Sequence, residues 1–402
     1  MMKRLITVVL ILAVAITAAG CGGKSEPAGD PTVPDASRPT AESGMPVFDK
    51  DGNLLGEIDS RANCTAVDGG IFYSVTDLKE YQLTADAEYR FLDMESKRDV
   101  RLGMLENQGY EAAFARTEYH GNIFTLAVQG DPVSDPAVPL VLLAADPAAG
   151  TMKKYTVSEN GFPYASLAAA NGKLLIMSHE MSEPKRDQII EFDPAAETMR
   201  EVLTFSPDTD SLRGVCPARD GFFLLRLKIN NGGENELVLD RYDHQYARVS
   251  EQSVNETMIH AVMEIRGITE RQDALNELGM NVSRFAVEED RYLIYENFGL
   301  SRLIIDLHSG ETVLARDDIY AVSLGSGTPF VYRIDFDSED AGEPDISGVI
   351  DGELTKLSFE PTDPHKLIQA VSHAADGTWL IMTSDGSPVQ DRTYALHCWT
   401  GS

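Results

Sequence analysis

The sequence predicts an all-β chain folded as a seven-bladed β-propeller with one short helical insertion, on three observations. From residue 60 onward, short runs rich in Val, Ile, Leu, Phe and Tyr recur between turn residues, while long helical periodicity is scarce. One turn-and-strand unit returns seven times. Its spacing is near 50 residues, which is room for about four strands and hence one blade. Six or eight blades fit the same spacing if a copy at either end is misassigned.

The chain opens with Lys3 and Arg4, an apolar run from Leu5 to Ala19, and small residues at Ala18, Ala19 and Gly20. A basic start, a run shorter than the roughly 20 residues of a membrane span and a small-residue end make residues 1–20 a secretory signal peptide. Ala18-Ala19-Gly20-Cys21 resembles the lipobox of bacterial lipoproteins. That resemblance implies alkylation of the Cys21 thiol by diacylglycerol, cleavage before Cys21, and anchoring to the membrane through lipid. Residues 21–43 are rich in Gly, Pro, Ser, Asp and Glu and nearly free of large apolar side chains, so they read as a disordered tether.

The propeller body is expected over residues 44–402. Val47 to Ile58 reads as strand, Asp-Gly turn, strand, and Asp49, Asp51 and Asn53 are assigned to that hairpin turn. The repeated unit then starts at Gly70, Gly121, Gly172, Gly221, Asp290, Gly327 and Gly377; the first steps are 51, 51 and 49 residues and the last is 50. A second element echoes within it: Asp146-Pro147-Ala148-Ala149 returns as Asp193-Pro194-Ala195-Ala196, Asp240 falls another 47 residues on, and Asp306 repeats the theme. These aspartates are read as the turn from a third strand into a fourth. The last unit stops after the strand Thr393 to Trp399, so the 47–58 segment is expected to complete it and remove an exposed edge. The step from Asp240 to Asp306 is 66 residues, and the excess near 255–280 predicts one short helix, with Thr269 and Gln272 as a capping box and Gly279 as its stop.

The charge is strongly acidic, with 34 Lys and Arg against 64 Asp and Glu for a net −30. Nucleic acid is excluded as a partner for want of a basic footprint, and an anionic membrane surface would repel the body, so attachment rests on the lipid. Beyond Cys21 the cysteines are Cys64, Cys216 and Cys398. A Cys64–Cys398 bond would help close a ring, yet buried free thiols are the expected state.

No catalytic motif is found: no Gly-x-Ser-x-Gly elbow, no His-Glu-x-x-His, no Cys-x-x-Cys pair and no phosphate-binding glycine loop, and the sequence names no cofactor. Asp376-Gly377-Thr378-Trp379 resembles the tail of the aspartate box of sialidase propellers but occurs once and is assigned to a turn. In a propeller the loops after the second and fourth strands emerge on one face, and here the long ones, 129–139, 179–187, 230–235, 335–347 and 384–391, gather there with the insertion. Candidate ligand-binding residues on that face are Asp335, Asp337 and Glu339 in an acidic run, with His179 and Glu180; none has the spacing of a metal site.

The function expected is that of a membrane-anchored extracytoplasmic binding or scaffold module with a protein or glycan partner. The alternatives are a glycan-active enzyme, which needs two carboxylates roughly 5–9 Å apart, and a ligand-sensing subunit of a membrane complex.

Overall fold

The computed structural model describes residues 44–59, 62–76, 84–131, 135, 138–161, 165–170, 172–180, 182–230, 233–280, 282–297, 302–316, 320–323, 330–333, 346–350, 353–357, 359, 367–385, 387 and 392–400. The described residues are all-β with two helices. A hairpin of β1 (Met45–Phe48) and β2 (Leu54–Ile58) precedes strands that the repeat divides into seven antiparallel units, the first three hydrogen-bonded into one 11-stranded sheet and units 4, 5 and 6 each forming a four-stranded sheet. Unit 1 holds β3 (Ala62–Val67), β4 (Gly70–Thr76), β5 (Ala85–Asp93) and the first half of β6 (Asp99–Tyr119). The second half of β6 opens unit 2, followed by β7 (Asn122–Gln129), β8 (Val138–Asp146) and β9 (Thr151–Gly161). Unit 3 is β10 (Ser166–Ala170), β11 (Lys173–Glu180), β12 (Arg186–Asp193) and β13 (Thr198–Phe205); unit 4 is β14 (Asp210–Ala218), β15 (Gly221–Lys228), β16 (Glu236–Tyr242) and β17 (Arg248–Ser253). After helices α1 (Asn255–Arg266) and α2 (Arg271–Met280), unit 5 is β18 (Val282–Glu288), β19 (Tyr292–Asn297), β20 (Arg302–Asp306) and β21 (Glu311–Arg316). Unit 6 is β22 (Tyr320–Ser323), β23 (Phe330–Arg333), β24 (Ile346–Ile350) and β25 (Glu353–Lys356). Unit 7 has three strands, β26 (Leu367–His373), β27 (Trp379–Ser384) and β28 (Tyr394–Trp399).

Each repeat read from the sequence falls on the second strand of a unit. The reason is burial: β4, β11 and β15 are almost wholly buried, so both strand faces must be apolar and the run is continuous. The fourth strands β13, β17, β21 and β25 lie at sheet edges, and β17 and β25 are exposed at every residue. The turn into the second strand carries a left-handed glycine in five units; at Gly221 (φ 131°) an added Cβ would lie 1.9 Å from the Tyr242 carbonyl oxygen.

The third-to-fourth turns are held by aspartate side chains, as expected. Asp146 Oδ1 accepts from the Ala149 amide (2.9 Å), Asp193 Oδ1 from Ala195 and Ala196 (2.9 and 3.1 Å), and Asp306 Oδ1 from His308 (2.9 Å). In unit 4 the expectation fails by three residues. Asp243 makes the turn, accepting from Gln245 and Ala247, whereas Asp240 lies inside β16 with no solvent exposure. Arg226 in β15 explains this, because its guanidinium supplies the counter-charge that lets Asp240 stay in the sheet.

The N-terminal hairpin does join the last unit. β1 pairs with β28 in parallel and β2 pairs with β1, giving the order β26-β27-β28-β1-β2. Asp49 forms the hairpin turn by accepting from the amides of Asp51 and Asn53.

The insertion holds two helices rather than one. Met258, Ile259 and Val262 of α1 and Ala274, Leu275 and Leu278 of α2 are buried against units 4 and 5. α1 ends at Gly267 in the left-handed conformation. The capping box is not formed: Gln272 Nε2 reaches forward to Asn276 Oδ1 (3.2 Å), and α2 runs past Gly279 to Met280.

Among the described residues, seven buried apolar clusters each join two neighbouring units. Phe72 with Ile123 links units 1 and 2, Leu126 with Ile176 units 2 and 3, and Leu175 with Leu224 units 3 and 4. Leu225 with Leu293 links units 4 and 5, Tyr292 with Val331 units 5 and 6, Tyr332 with Ile381 units 6 and 7, and Tyr73 with Leu380 unit 7 and unit 1.

Candidate functional site

Antiparallel strands put the loops after second and fourth strands at one end of each unit and the short turns at the other. At the loop end, β11 and β12 pair His179 with Asp187 and Glu180 with Arg186. Consecutive strand residues point to opposite faces, so the structure separates His179 from Glu180 instead of joining them in one pocket. His179 Nδ1 lies 2.7 Å from Asp187 Oδ1. Asp187 is buried, and its Oδ2 accepts from the Leu212 amide at 2.8 Å and from Ser211 Oγ at 3.2 Å, tying unit 3 to unit 4. The Ser211 hydroxyl meets the carboxylate and not the imidazole, so this is no nucleophile–base–acid relay.

Glu180 faces the other way, toward β9. Its carboxylate accepts from Ser158 Oγ (2.8 Å) and Ser182 Oγ (2.7 Å). Burial pushes this carboxyl up, but the serine hydrogen bonds and the Arg186 charge outweigh it and hold the group below its ordinary range. Asp335, Asp337 and Glu339 lie outside the described residues. Among those described, no group of three or more His, Cys, Asp or Glu side chains is placed to hold a metal ion, and no helix is long and apolar enough to cross a membrane. Cys64, Cys216 and Cys398 are free thiols, and burial pushes Cys64 and Cys398 up to about 12.

Asp187, Ser211 and the neighbouring Arg213 are members of this group that the sequence did not single out. They come from β12 and β14 and share no motif, so only tertiary structure gathers them.

A second polar cluster sits at the short-turn end. A cavity of about 300 Å³ is lined by Asp68, Asp93, Ser96, Arg98 and Glu118 among others. Glu118 Oε2 accepts from the Asp68 amide (2.7 Å), Asp68 Oδ1 from the Asp376 amide (2.9 Å), and Asp376 Oδ2 from the Gly69 amide (2.7 Å). Burial, with Asp68 and Asp376 adding like charge, pushes the Glu118 carboxyl up to about 7. Asp376 also accepts from the Thr378 amide, so the Asp-Gly-Thr-Trp segment is a turn, as expected.

No family model matches the chain, and no curated protein does. Similar solved structures include a chain of the mitotic checkpoint complex (11% identity over 95% of this chain and 98% of that one, TM-score 0.47). U3-55K (10%, 82% and 90%, 0.45) and the computationally designed Ika8 protein (8%, 87% and 87%, 0.45) are others.

Proposed function

We propose that this chain is a lipoprotein anchored through Cys21 on the extracytoplasmic side of the membrane, whose body is a seven-bladed β-propeller acting as a binding or scaffold module. The observation that carries the propeller is the cyclic set of seven inter-unit clusters, the last pairing unit 7 with unit 1 through Tyr73 and Leu380. Seven units linked in this order support a closed ring, in which no unit is left with an uncovered face. The leader and the lipobox-like Ala18-Ala19-Gly20-Cys21 support the anchor. A binding role fits the loop end, where His179, Asp187, Ser211 and Glu180 are hydrogen-bonded into fixed positions and flanked by long loops.

Two measurements test this. Full-length protein made in a bacterial host should incorporate labelled palmitate and sediment with membranes, and Cys21→Ser should do neither; label or membrane retention in the variant sinks the anchor. A photo-crosslinker at the exposed Lys185 of the loop end should capture a discrete partner in intact cells, and one at the exposed Lys97 of the short-turn end should not.

A glycan-active enzyme is the second reading, favoured by Glu118, a carboxyl near half-protonation at neutral pH beside Asp68 in a cavity. Sugar release that wild type performs and Glu118→Gln does not would establish it.

A further inference from the structure

Arg213 occupies an irregularity in β14. Leu212 stands opposite Arg226 and Gly214 opposite Leu225, leaving Arg213 as an extra residue with no cross-strand partner. The first strands of units 5 and 7 carry the same defect, between Val282 and Arg284 and between Ile368 and Ala370. Bulges of this kind re-aim a side chain and gather beside functional sites. Gly214 lets unit 5 close tightly on this strand, since an added Cβ would meet the Phe285 ring at 2.6 Å.

The guanidinium so placed is half-buried and incompletely satisfied. Nη1 donates to Ser211 Oγ (2.9 Å) and to the Leu212 carbonyl oxygen (3.2 Å). Nε is buried with no hydrogen-bond partner, and no described carboxylate forms an ion pair with Arg213. Asp187 is the acid whose charge it feels, yet both oxygens of Asp187 are already bonded to His179, Ser211 and the Leu212 amide. Desolvation accordingly holds the Arg213 pKa below its ordinary value. A chain with 64 acidic residues does not lack partners for its arginines: among the buried ones Arg226 has three and Arg302 pairs with Glu296. A half-desolvated guanidinium without a counter-ion is costly to fold and suits recognition of an anion.

We propose that Arg213 anchors a site for a carboxylate-bearing ligand, reached through Nη2 at the loop end where units 3, 4 and 5 meet. Nη2 is the terminal nitrogen to which no described group is hydrogen-bonded, and a guanidinium N–H donates strongly to a carboxylate oxygen. Ser211 and Leu212 fix the opposite corner through Nη1, so the fork is oriented before a ligand arrives. Placing this site at the mouth of a central channel rests on the propeller reading; the contacts around Arg213 do not.

Titration calorimetry on the full-length protein in detergent tests the proposal, with glucuronate and a free-acid tripeptide as probes and glucose and the amidated tripeptide as controls. The two acids distinguish a sugar from a peptide source of the carboxylate. At least one acid should bind wild type while its neutral control does not. Arg213→Lys, which keeps the charge and loses the fork, should weaken binding on the order of tenfold, and Arg213→Gln should abolish it. Arg213→Met should raise the melting temperature of the unliganded protein by a few degrees, because it removes an unpaired buried charge, where a purely structural arginine would lower it. Phenylglyoxal modification of wild-type Arg213, followed by mass spectrometry, should be slowed by the binding acid whether or not the variants fold. Absence of binding by both acids, equal binding by Arg213→Gln, or tighter binding of inorganic phosphate than of either acid overturns the assignment. Solution scattering on the same sample reports separately on the propeller.

Discussion

Asp240 sits in a sheet at zero exposure, and its charge is tolerated only because Arg226 is against it. The guanidinium Nε lies 2.9 Å from Asp240 Oδ2, Nη2 lies 2.9 Å from Glu251, and Nη1 bonds Asp210. Burial still pushes the Asp240 carboxyl up, with Arg226 opposing it. Removing one partner of such a pair strands the other, so Asp240→Ala should cost about 3–5 kcal/mol in urea unfolding, whereas Asp243→Ala, losing an exposed turn cap, should cost about 1 kcal/mol. A loss near 1 kcal/mol at Asp240 would mean the network is a solvated surface cluster. The 47-residue echo that makes Asp240 resemble a turn residue is real as sequence, but unit 4 carries its turn three positions later. Spacing alone does not separate an aspartate that caps a turn through local amides from one paired inside a strand, because what distinguishes Asp240 is Arg226 on the neighbouring strand.

What the elements disclose in sequence follows from how many of their faces are buried. Second strands are sandwiched between neighbours and read as unbroken apolar runs, which is why all seven were legible. Fourth strands such as Arg248–Ser253 are polar throughout and resemble loops. The two helices were half legible: their excess length broke the repeat, but α1 begins at Val254 with no side-chain cap bond, so no start signal marks it. The loop-end site was legible only at His179 and Glu180, because its other members arrive from β12 and β14. For the insertion the structure predicts a packing role. Tyr295 donates its hydroxyl to the Leu278 carbonyl oxygen at the end of α2, and Met258 is fully buried in the cluster between units 4 and 5. Met258→Ala should destabilise by about 2–5 kcal/mol, and Tyr295→Phe by about 1 kcal/mol or somewhat more for the unpaired carbonyl. Thermal unfolding of the two variants checks both. A neutral Met258→Ala would detach the helices from the fold.

Over the whole molecule, the place where the chain meets itself is also where protonation should matter. Asp376 of unit 7, Asp68 of unit 1 and Glu118 of unit 2 form a chain of carboxylate-to-amide bonds across the two interfaces that flank unit 1. The Glu118 carboxyl is pushed from its ordinary value of 4.5 to about 7 by burial and by the two neighbouring acids. A folded-state pKa above the unfolded one means that the native protein holds the extra proton between those values. The stabilisation is fully present below about 4.5 and is lost as pH rises through about 7. Wild type should therefore lose stability between pH 5 and pH 8 at this group, against the opposite trend from Asp306, whose carboxyl Arg291 holds down to about 2 and which is destabilised only in strong acid. Glu118→Gln keeps an oxygen acceptor for the Asp68 amide and cannot ionise. Its urea midpoint should match wild type near pH 5 and exceed it at pH 8, so the difference between the two proteins should grow with pH. A constant difference across that range would mean that Glu118 titrates as an ordinary solvated carboxylate and that the seam is held by the apolar cluster of Tyr73 and Leu380 alone.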